Sequence, residues 1–483
     1  MHDTGRGQRT FFGHPRVLAD LFGLELWERF SFYGMQGIVL YYMYYAADHG
    51  GLGIDRTVAT GIVGAYGGGV YLATILGAWL ADRVAGSERV LFLSAALVAA
   101  GHLGLAVLPG AAGLTVGLVA IAVGSGGVKA TATAIVGALY DADDPRRDAG
   151  FLLFYLGVNI GALLGPLLTG LLQSTLGFHY GFGAAAAAMA AGLIQYARAR
   201  GNLPDTAREV PRPLGPAQRR RVLAAASVAT ALVLAAAGTG VLTAANLAAV
   251  MAAAAGLAAV GYFAVILSSR QVSALERRRV LGFIPLFLAS MAFWSLFQQQ
   301  FTVLAIYSDQ RLNRMLFGWQ LPPSWVQAIN PVFIVVFSGV FAALWTKLGD
   351  RQPGSPVKFA IGLTTMGVAF LAFLPLTGGG PGGTPLAAIV GILLLFTVAE
   401  LFLSPIGLSV TTKLAPKAFH TQLIALFFLS VSLGTTAAGI LAGHYDPGNE
   451  APYFGVIGGT AVVLGMALAV AAPGIRRLIA GVR

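Results

Sequence analysis

The chain has 483 residues, of which 57% are hydrophobic and only 11% charged, with a formal net charge of +11 and no cysteine. A soluble fold of this length needs far more polar residues to cover its surface, so the composition points to an integral membrane protein. The positive charge does not argue for nucleic acid, because the basic residues lie in short loops between apolar runs, and without cysteine there are no disulfides, thiolate nucleophiles or cysteine metal sites.

The first sixteen residues are polar and basic, with no separate short apolar core, so no cleaved leader is expected. The run from Leu21 to Tyr45 follows, long enough to cross a bilayer yet carrying Glu25, Glu28 and Arg29. At about 3.6 residues per turn, positions i, i+3 and i+4 share a face, so two carboxylates and a guanidinium form one cluster. Each such charge at bilayer depth costs at least about 2.5–3.5 kcal/mol on insertion scales. A helix that keeps three must face a wet cavity or protein partners, and its purpose is to move something charged.

Including that first span, at about 18–45, fourteen apolar segments are expected. The others lie at about 57–81, 90–109, 113–139, 150–173, 178–197, 222–242, 244–267, 280–307, 324–346, 358–376, 385–411, 419–442 and 453–474. An even number puts both termini on one side. Arg83, Arg89, Arg146, Arg147, Lys347, Arg351, Lys358, Lys413 and Lys417 share one set of loops, and the other set holds mainly Arg56, Arg311 and Arg314. The first set and both termini are therefore expected in the cytoplasm, with the chain in the inner cell membrane.

The longest polar stretch, Ala199 to Arg221, reads as a linker between two six-helix halves. The expected division is residues 1–198 for the first bundle, 199–221 for a cytoplasmic linker, 222–279 for an accessory helix pair and 280–483 for the second bundle. An internal echo supports it: Leu80-Ala81-Asp82-Arg83 and Leu348-Gly349-Asp350-Arg351 each follow the second span of a half. The Gly77–Arg83 string also resembles the short loop motif of the major facilitator superfamily, whose plan is two related six-helix halves with a pocket at mid-membrane. The pair at about 222–267 carries no charge and is rich in small residues, which suits close helix packing.

Several polar residues lie inside the later spans. Lys129 is about ten residues from the end of its segment, roughly 15 Å at 1.5 Å per residue, too deep for full snorkelling. A buried ammonium with a carboxylate partner is one reading and an interface lysine the other. Glu400 stands alone in an apolar run near mid-span, and a Lys129–Glu400 pair could close a gate or grip a ligand. Asn159 and Asn330 are open between interhelical glue, worth roughly 1 kcal/mol, and ligand contact.

The chain resembles the proton-dependent oligopeptide transporter family, within the major facilitator superfamily, over nearly its whole length. Three motifs carry this. The first is Glu25-x-x-Glu28-Arg29-Phe30-Ser31-Phe32-Tyr33-Gly34-Met35. The second is Asp144-Pro145-Arg146-Arg147-Asp148-Ala149-Gly150-Phe151 leading to Phe154-Tyr155-x-x-x-Asn159-x-Gly161. The third is Glu400-Leu401-x-Leu403-Ser404-Pro405-x-Gly407-Leu408-Ser409. The resemblance implies an all-α 6+6 bundle with two extra helices, working as a proton-coupled importer of di- and tripeptides without a cofactor, a monomer being the default. It implies that Arg29 and Lys129 face the peptide carboxylate and that Glu400, Asn330 and Asn159 hold the amino terminus. Tyr33, Tyr71, Trp294 and Phe427 would line side-chain pockets, and Gln36, Gln298 and Ser430 would complete the substrate-binding set; core packing is an alternative for Tyr71 and Trp294. A zwitterion needs a cationic and an anionic end a fixed distance apart, and loose aromatic walls then accept varied side chains.

Two departures matter. The family often has arginine where this chain has Gln36, and glutamate where it has Gln298, with Gln299 as the alternative register. Both members of an ion pair are then neutral together, which predicts a Gln36–Gln298 hydrogen bond and moves proton coupling to Glu25, Glu28 or Glu400, with Arg29 as their counter-ion. A second outer pair, Arg56 with Asp309, is also expected. Other classes fit less well. Only seven histidines are present, no nucleophile or phosphate-cradling motif appears, and the charges alternate in sign rather than forming a like-sign ring. The remaining alternative is a related solute such as an amino-acid conjugate, a peptide-like drug or nitrate, the last of which would leave Glu400 without a purpose.

Overall fold

The structure, a computed structural model, describes residues 11–479 apart from 142, 143 and 145 and the side chain of Asp350. Pro145 of the second motif thus lies outside the described residues. The chain is nearly all helical: α1 (Val17–Tyr44), α2 (Arg56–Leu80), α3 (Ser87–Val107), α4 (Gly110–Ala138), α5 (Arg147–Leu176), α6 (Phe178–Ala199), α7 (Pro216–Gly238) and α8 (Leu247–Ser268). There follow α9 (Ala274–Phe297), α10 (Val303–Gln310), α11 (Ile329–Leu348), α12 (Ser355–Leu371), α13 (Leu386–Leu414), α14 (His420–Ala442) and α15 (Glu450–Leu478).

With α9 and α10 taken as one interrupted span, fourteen helical spans stand among the described residues. Twelve are long and apolar enough to cross a membrane. The other two are α1, with Asp20, Glu25, Glu28 and Arg29, and α6, with His179, Gln195 and Arg198. Their polar residues lower mean hydropathy without changing length.

Most expected boundaries fall within a helical turn of the observed ones, with two informative exceptions. The seventh span begins at Pro216 rather than near 222. Proline suits the first helical position and arginine is a good helix former, so Arg219–Arg221 are absorbed into the helix. The ninth span, expected as one helix, is broken: a 3₁₀ turn, Gln298–Phe301, leads to Thr302 at φ −126°, ψ −85° before α10 begins. The glutamines cause part of this, since Gln299 Nε2 donates to the Ser295 carbonyl at 3.0 Å and competes for the helix's own acceptors.

The helices sort into two compact units, one comprising the chain up to Gln36 and Ala73–Thr230, the other Gly37–Leu72 and the chain from Ala231 onward. In the first, α3 packs along α4 and α6, and α5 along α6. Its core joins Leu18, Leu21 and Leu24 of α1 to Leu91 and Val98 of α3, Val128 and Ile135 of α4 and Met189 of α6. In the second, α12 lies against α13 and α15, and α14 against α8 and α9. Phe373 and Phe454 stack there at 4.4 Å. The end of this unit is fastened by an ion pair: Arg311 reaches both oxygens of buried Glu450, at 3.0 and 3.2 Å, Tyr445 donates to the same carboxylate at 2.7 Å, and Arg311 Nη1 donates to the Gly379 carbonyl.

The polar stretch after α6 does not behave as a loose tether. Arg200 pairs with buried Glu88 at 2.6 Å and lies 4.0 Å over the Phe92 ring. Further on, the Arg212 and Leu214 amides donate to the Asp82 and Arg83 carbonyls at 3.0 and 3.1 Å. Residues 200–214 thus lie along the Asp82-Arg83 loop of the first unit, itself a π-helical turn, Ala81–Ala85. The echo of that motif, Gly349–Arg351, also forms a short helical turn at the end of its span.

Candidate functional site

In the first unit the site grows from α1. Leu18, Leu21 and Leu24 bury that helix in the core, and the next turn carries Glu25, Glu28 and Arg29 inward, 4%, 0% and 6% exposed. Arg29 Nε donates to Glu25 Oε1 at 2.7 Å and stands 3.2 Å from Glu28 Oε2, so one nitrogen serves both carboxylates. The guanidinium lies 5.8 Å from the Phe32 ring centroid, and Tyr33 is among its electrostatic neighbours. Glu25 Oε2 and both Glu28 oxygens hold no hydrogen bond, Glu28 being tied to Arg29 by charge alone, which leaves acceptor capacity in a buried place.

Lys129 of α4 is an electrostatic neighbour of Glu25, Glu28 and Arg29, so the second cation does join the cluster. The glycines before it explain how: a Cβ on Gly77 of α2 would stand 2.7 Å from the Gly127 Cα, and these helices meet with no side chain between. Buried Ser125 lies beside Glu28, a neighbour the sequence reasoning missed. Asn159 of α5 is 7% exposed and donates to the Tyr155 carbonyl at 2.9 Å. Two residues on, a Cβ at Gly161 would stand 2.8 Å from the Phe30 nitrogen and 2.9 Å from the Arg29 Cβ. The Asn159-x-Gly161 spacing therefore has a physical basis: the glycine seats α5 directly on the turn of α1 that bears Arg29. Gln36 is buried with Oε1 unpartnered.

In the second unit Glu400 sits on α13. Asn330, in the first turn of α11, hydrogen-bonds Glu400 and donates through Nδ2 to Thr397 Oγ1 at 3.1 Å. Thr397 donates in turn to the Leu393 carbonyl at 2.9 Å, and Glu400 Oε2 is left without a partner. The sequence paired Asn330 with Glu400 in role but missed Thr397, whose i−3 spacing from Glu400 was the available signal. Trp294 is buried with its indole N–H unpartnered, in edge contact with Phe293 and Phe297. Phe427 lies over Gly407 of α13, and Tyr71 is partly buried on α2.

Three expected residues take particular settings. Ser430 is fully buried, with its hydroxyl 2.8 Å from Ser290 Oγ and 2.7 Å from the Phe427 carbonyl, and it ties α14 to α9. Gln298 is half-buried in the turn, whereas Gln299 donates to the Ser295 carbonyl and accepts from the Tyr453 hydroxyl at 2.7 Å. The Arg56–Asp309 pair does not form. Asp309 accepts from Tyr44 and Tyr45, each at 2.7 Å, with Arg314 at 3.8 Å, and Arg56 lies 5.5 Å over the Tyr44 ring. Two hydroxyls and Arg314 already satisfy that carboxylate, while Arg56 stays exposed against the ring.

Apolar spans, an interrupted ninth helix and ionic clusters buried at depth are the construction of a multi-pass membrane transporter. Comparison with known proteins gives the family. A family model described as the POT family matches residues 88–457. An uncharacterized transporter of Bacillus subtilis (strain 168), YclF, is 41% identical, over 98% of this chain and 97% of its own. A di-/tripeptide transporter of Lactococcus lactis subsp. cremoris is 37% identical over the full length of both. A crystal structure of a mutant of the peptide transporter POT in complex with alafosfalin is 43% identical, with TM-score 0.93 over 98% of this chain and 97% of that one. The chain belongs to the POT family. It is a membrane transporter rather than an enzyme, with the major facilitator fold and two added helices, α7 and α8.

Proposed function

We propose that this chain is a proton-coupled symporter that imports di- and tripeptides by alternating access. The observation that carries the reading is the shared guanidinium: Arg29 Nε serves Glu25 at 2.7 Å and Glu28 at 3.2 Å, all three buried. Membership of the POT family and likeness to named di-/tripeptide transporters support the substrate class. Arg29 and Lys129 receive the peptide carboxylate. Glu400, with Asn330 beside it and Oε2 unengaged, receives the amino group. Asn159 assists, and Tyr33, Tyr71, Trp294 and Phe427 supply adaptable apolar walls. The two bundles are residues 1–198 and 280–483, with 222–279 as an accessory pair. The chain sits as a monomer in the inner membrane with both termini cytoplasmic.

Coupling follows from charge balance. With both carboxylates ionised, the guanidinium is held by its own helix. Protonating Glu28 removes one of its two anions and frees it for the carboxylate of a peptide, so proton and peptide favour the same state. This is linkage between two binding events. Gln298–Gln300 carry no ionisable group, so no proton is taken there.

Glu28→Gln is the test. Reconstituted in liposomes, it should retain peptide exchange between equal internal and external pools while losing accumulation driven by an acid-outside gradient. Acid-driven accumulation equal to that of the parent would refute the assignment.

A further inference from the structure

The segment joining α10 to α11 contains the one antiparallel hairpin among the described residues, β1 (Met315–Leu316) paired with β2 (Trp319–Gln320). Its two-residue loop is Phe317-Gly318, at φ +51° and +82°. A loop with both central residues at positive φ favours Asn-Gly or Asp-Gly, and a bulky residue there is a steric outlier. Phe317 occupies that strained position while fully exposed, so it packs on nothing within the molecule. Met315, Leu316 and Trp319 around it are 57%, 43% and 46% exposed. From Met315 to Trp325 there is no charged residue.

The hairpin is not loose. Its base is pinned to the loop before α13, where the Asn313 amide donates to the Thr384 carbonyl at 2.8 Å and the Thr384 amide to the Arg311 carbonyl at 3.1 Å. Arg314 Nη1 closes its stem on the Leu321 carbonyl at 2.8 Å. Trp319 meets Trp325 edge to face at 5.1 Å, which ties the hairpin to the turn that starts α11. That helix exposes Val332, Val335, Val336 and Val340 at helical spacing, the lipid-facing surface of a membrane span.

We infer that the Met315–Trp319 hairpin tip inserts into the lipid interface of the leaflet at that end of the second unit. A rigid stem presents an uncharged, aromatic-bearing tip continuous with a lipid-facing helix, and tryptophan is enriched at headgroup level. The strain at Phe317 marks a functional position: an exposed turn serving only to reverse the chain is better made with asparagine. Lipid is favoured over a protein partner because Trp319 joins the tip to the start of α11, whose exposed valine face belongs to a membrane span.

The absence of cysteine makes the test direct. Phe317→Cys, carrying a nitroxide and reconstituted at one copy per phosphatidylcholine/phosphatidylglycerol nanodisc, gives a single reporter. Gly380→Cys, in the exposed loop between α12 and α13 at this end, is the aqueous control. Collisions with oxygen should exceed those with a water-soluble nickel chelate at residue 317, and the ratio should reverse at 380. If Phe317→Cys does not yield a monodisperse protein, Trp319→Cys carries the same expectation. A label at the tip as open to the chelate as at 380 would overturn the proposal. So would a label shielded from both reagents, the signature of a tip covered by protein or by a second copy.

Discussion

At the residue scale the decisive object is Arg29, because one side chain balances two buried carboxylates. Removing it leaves two carboxylates with Lys129 as their one neighbouring cation among the described residues, and an uncompensated buried charge costs about 3–5 kcal/mol. Arg29→Ala should therefore lower the Tm in detergent substantially, and adding Glu25→Gln and Glu28→Gln should recover most of the loss. Equal Tm values for the single variant and the parent would mean the cluster is far wetter than its burial implies. The ionic members of the site were legible in the sequence, since a charge inside an apolar run has few other reasons to be there. Their neutral neighbours were not. Ser125 and Thr397 are small hydroxyl residues that bond their own helix as readily as a neighbour, and nothing in the string separates the two uses. Ser430 shows the same ambiguity, since its hydroxyl meets Ser290 of a neighbouring helix and its own helix's Phe427 carbonyl.

At the element scale the helices were legible because apolar length alone reports a span. Interruptions were not, because α9 and α10 form a single apolar run whose break depends on where Gln299 sends its amide. The close crossings are set by glycines. Gly161→Val would push α5 off the Arg29 turn of α1, where even a Cβ stands 2.8 Å from the Phe30 nitrogen. Overpacking of this kind typically costs about 1–3 kcal/mol. Reduced Tm and lost uptake are expected together, whereas Gly183→Val on α6, with nothing within 4 Å of its Cβ, should keep both. Thermal unfolding and transport of the two variants side by side check this, and equal tolerance would remove Gly161 from the site's architecture.

At the scale of the whole molecule, composition settled the class at once, since a chain with 11% charged residues cannot clothe itself in water. Substrate choice does not follow from composition. Recognition of both ends of a zwitterion predicts that dialanine and trialanine compete for uptake strongly in proteoliposomes, while free alanine and N-acetyl-dialanine compete weakly. One is too short to engage both charges, and the other offers Glu400 no ammonium. Strong competition by the acetylated peptide would move the reading toward a related anionic solute.

The fastening of residues 200–214 along the Asp82–Arg83 turn bears on how such a chain tolerates added sequence. A fluorescent fusion or a processing cut placed there would tear main-chain pairing from the loop it borders. The exposed bend between α7 and α8, from Thr239 to Asn246, borders a helix with no buried residue and offers the safer point of entry.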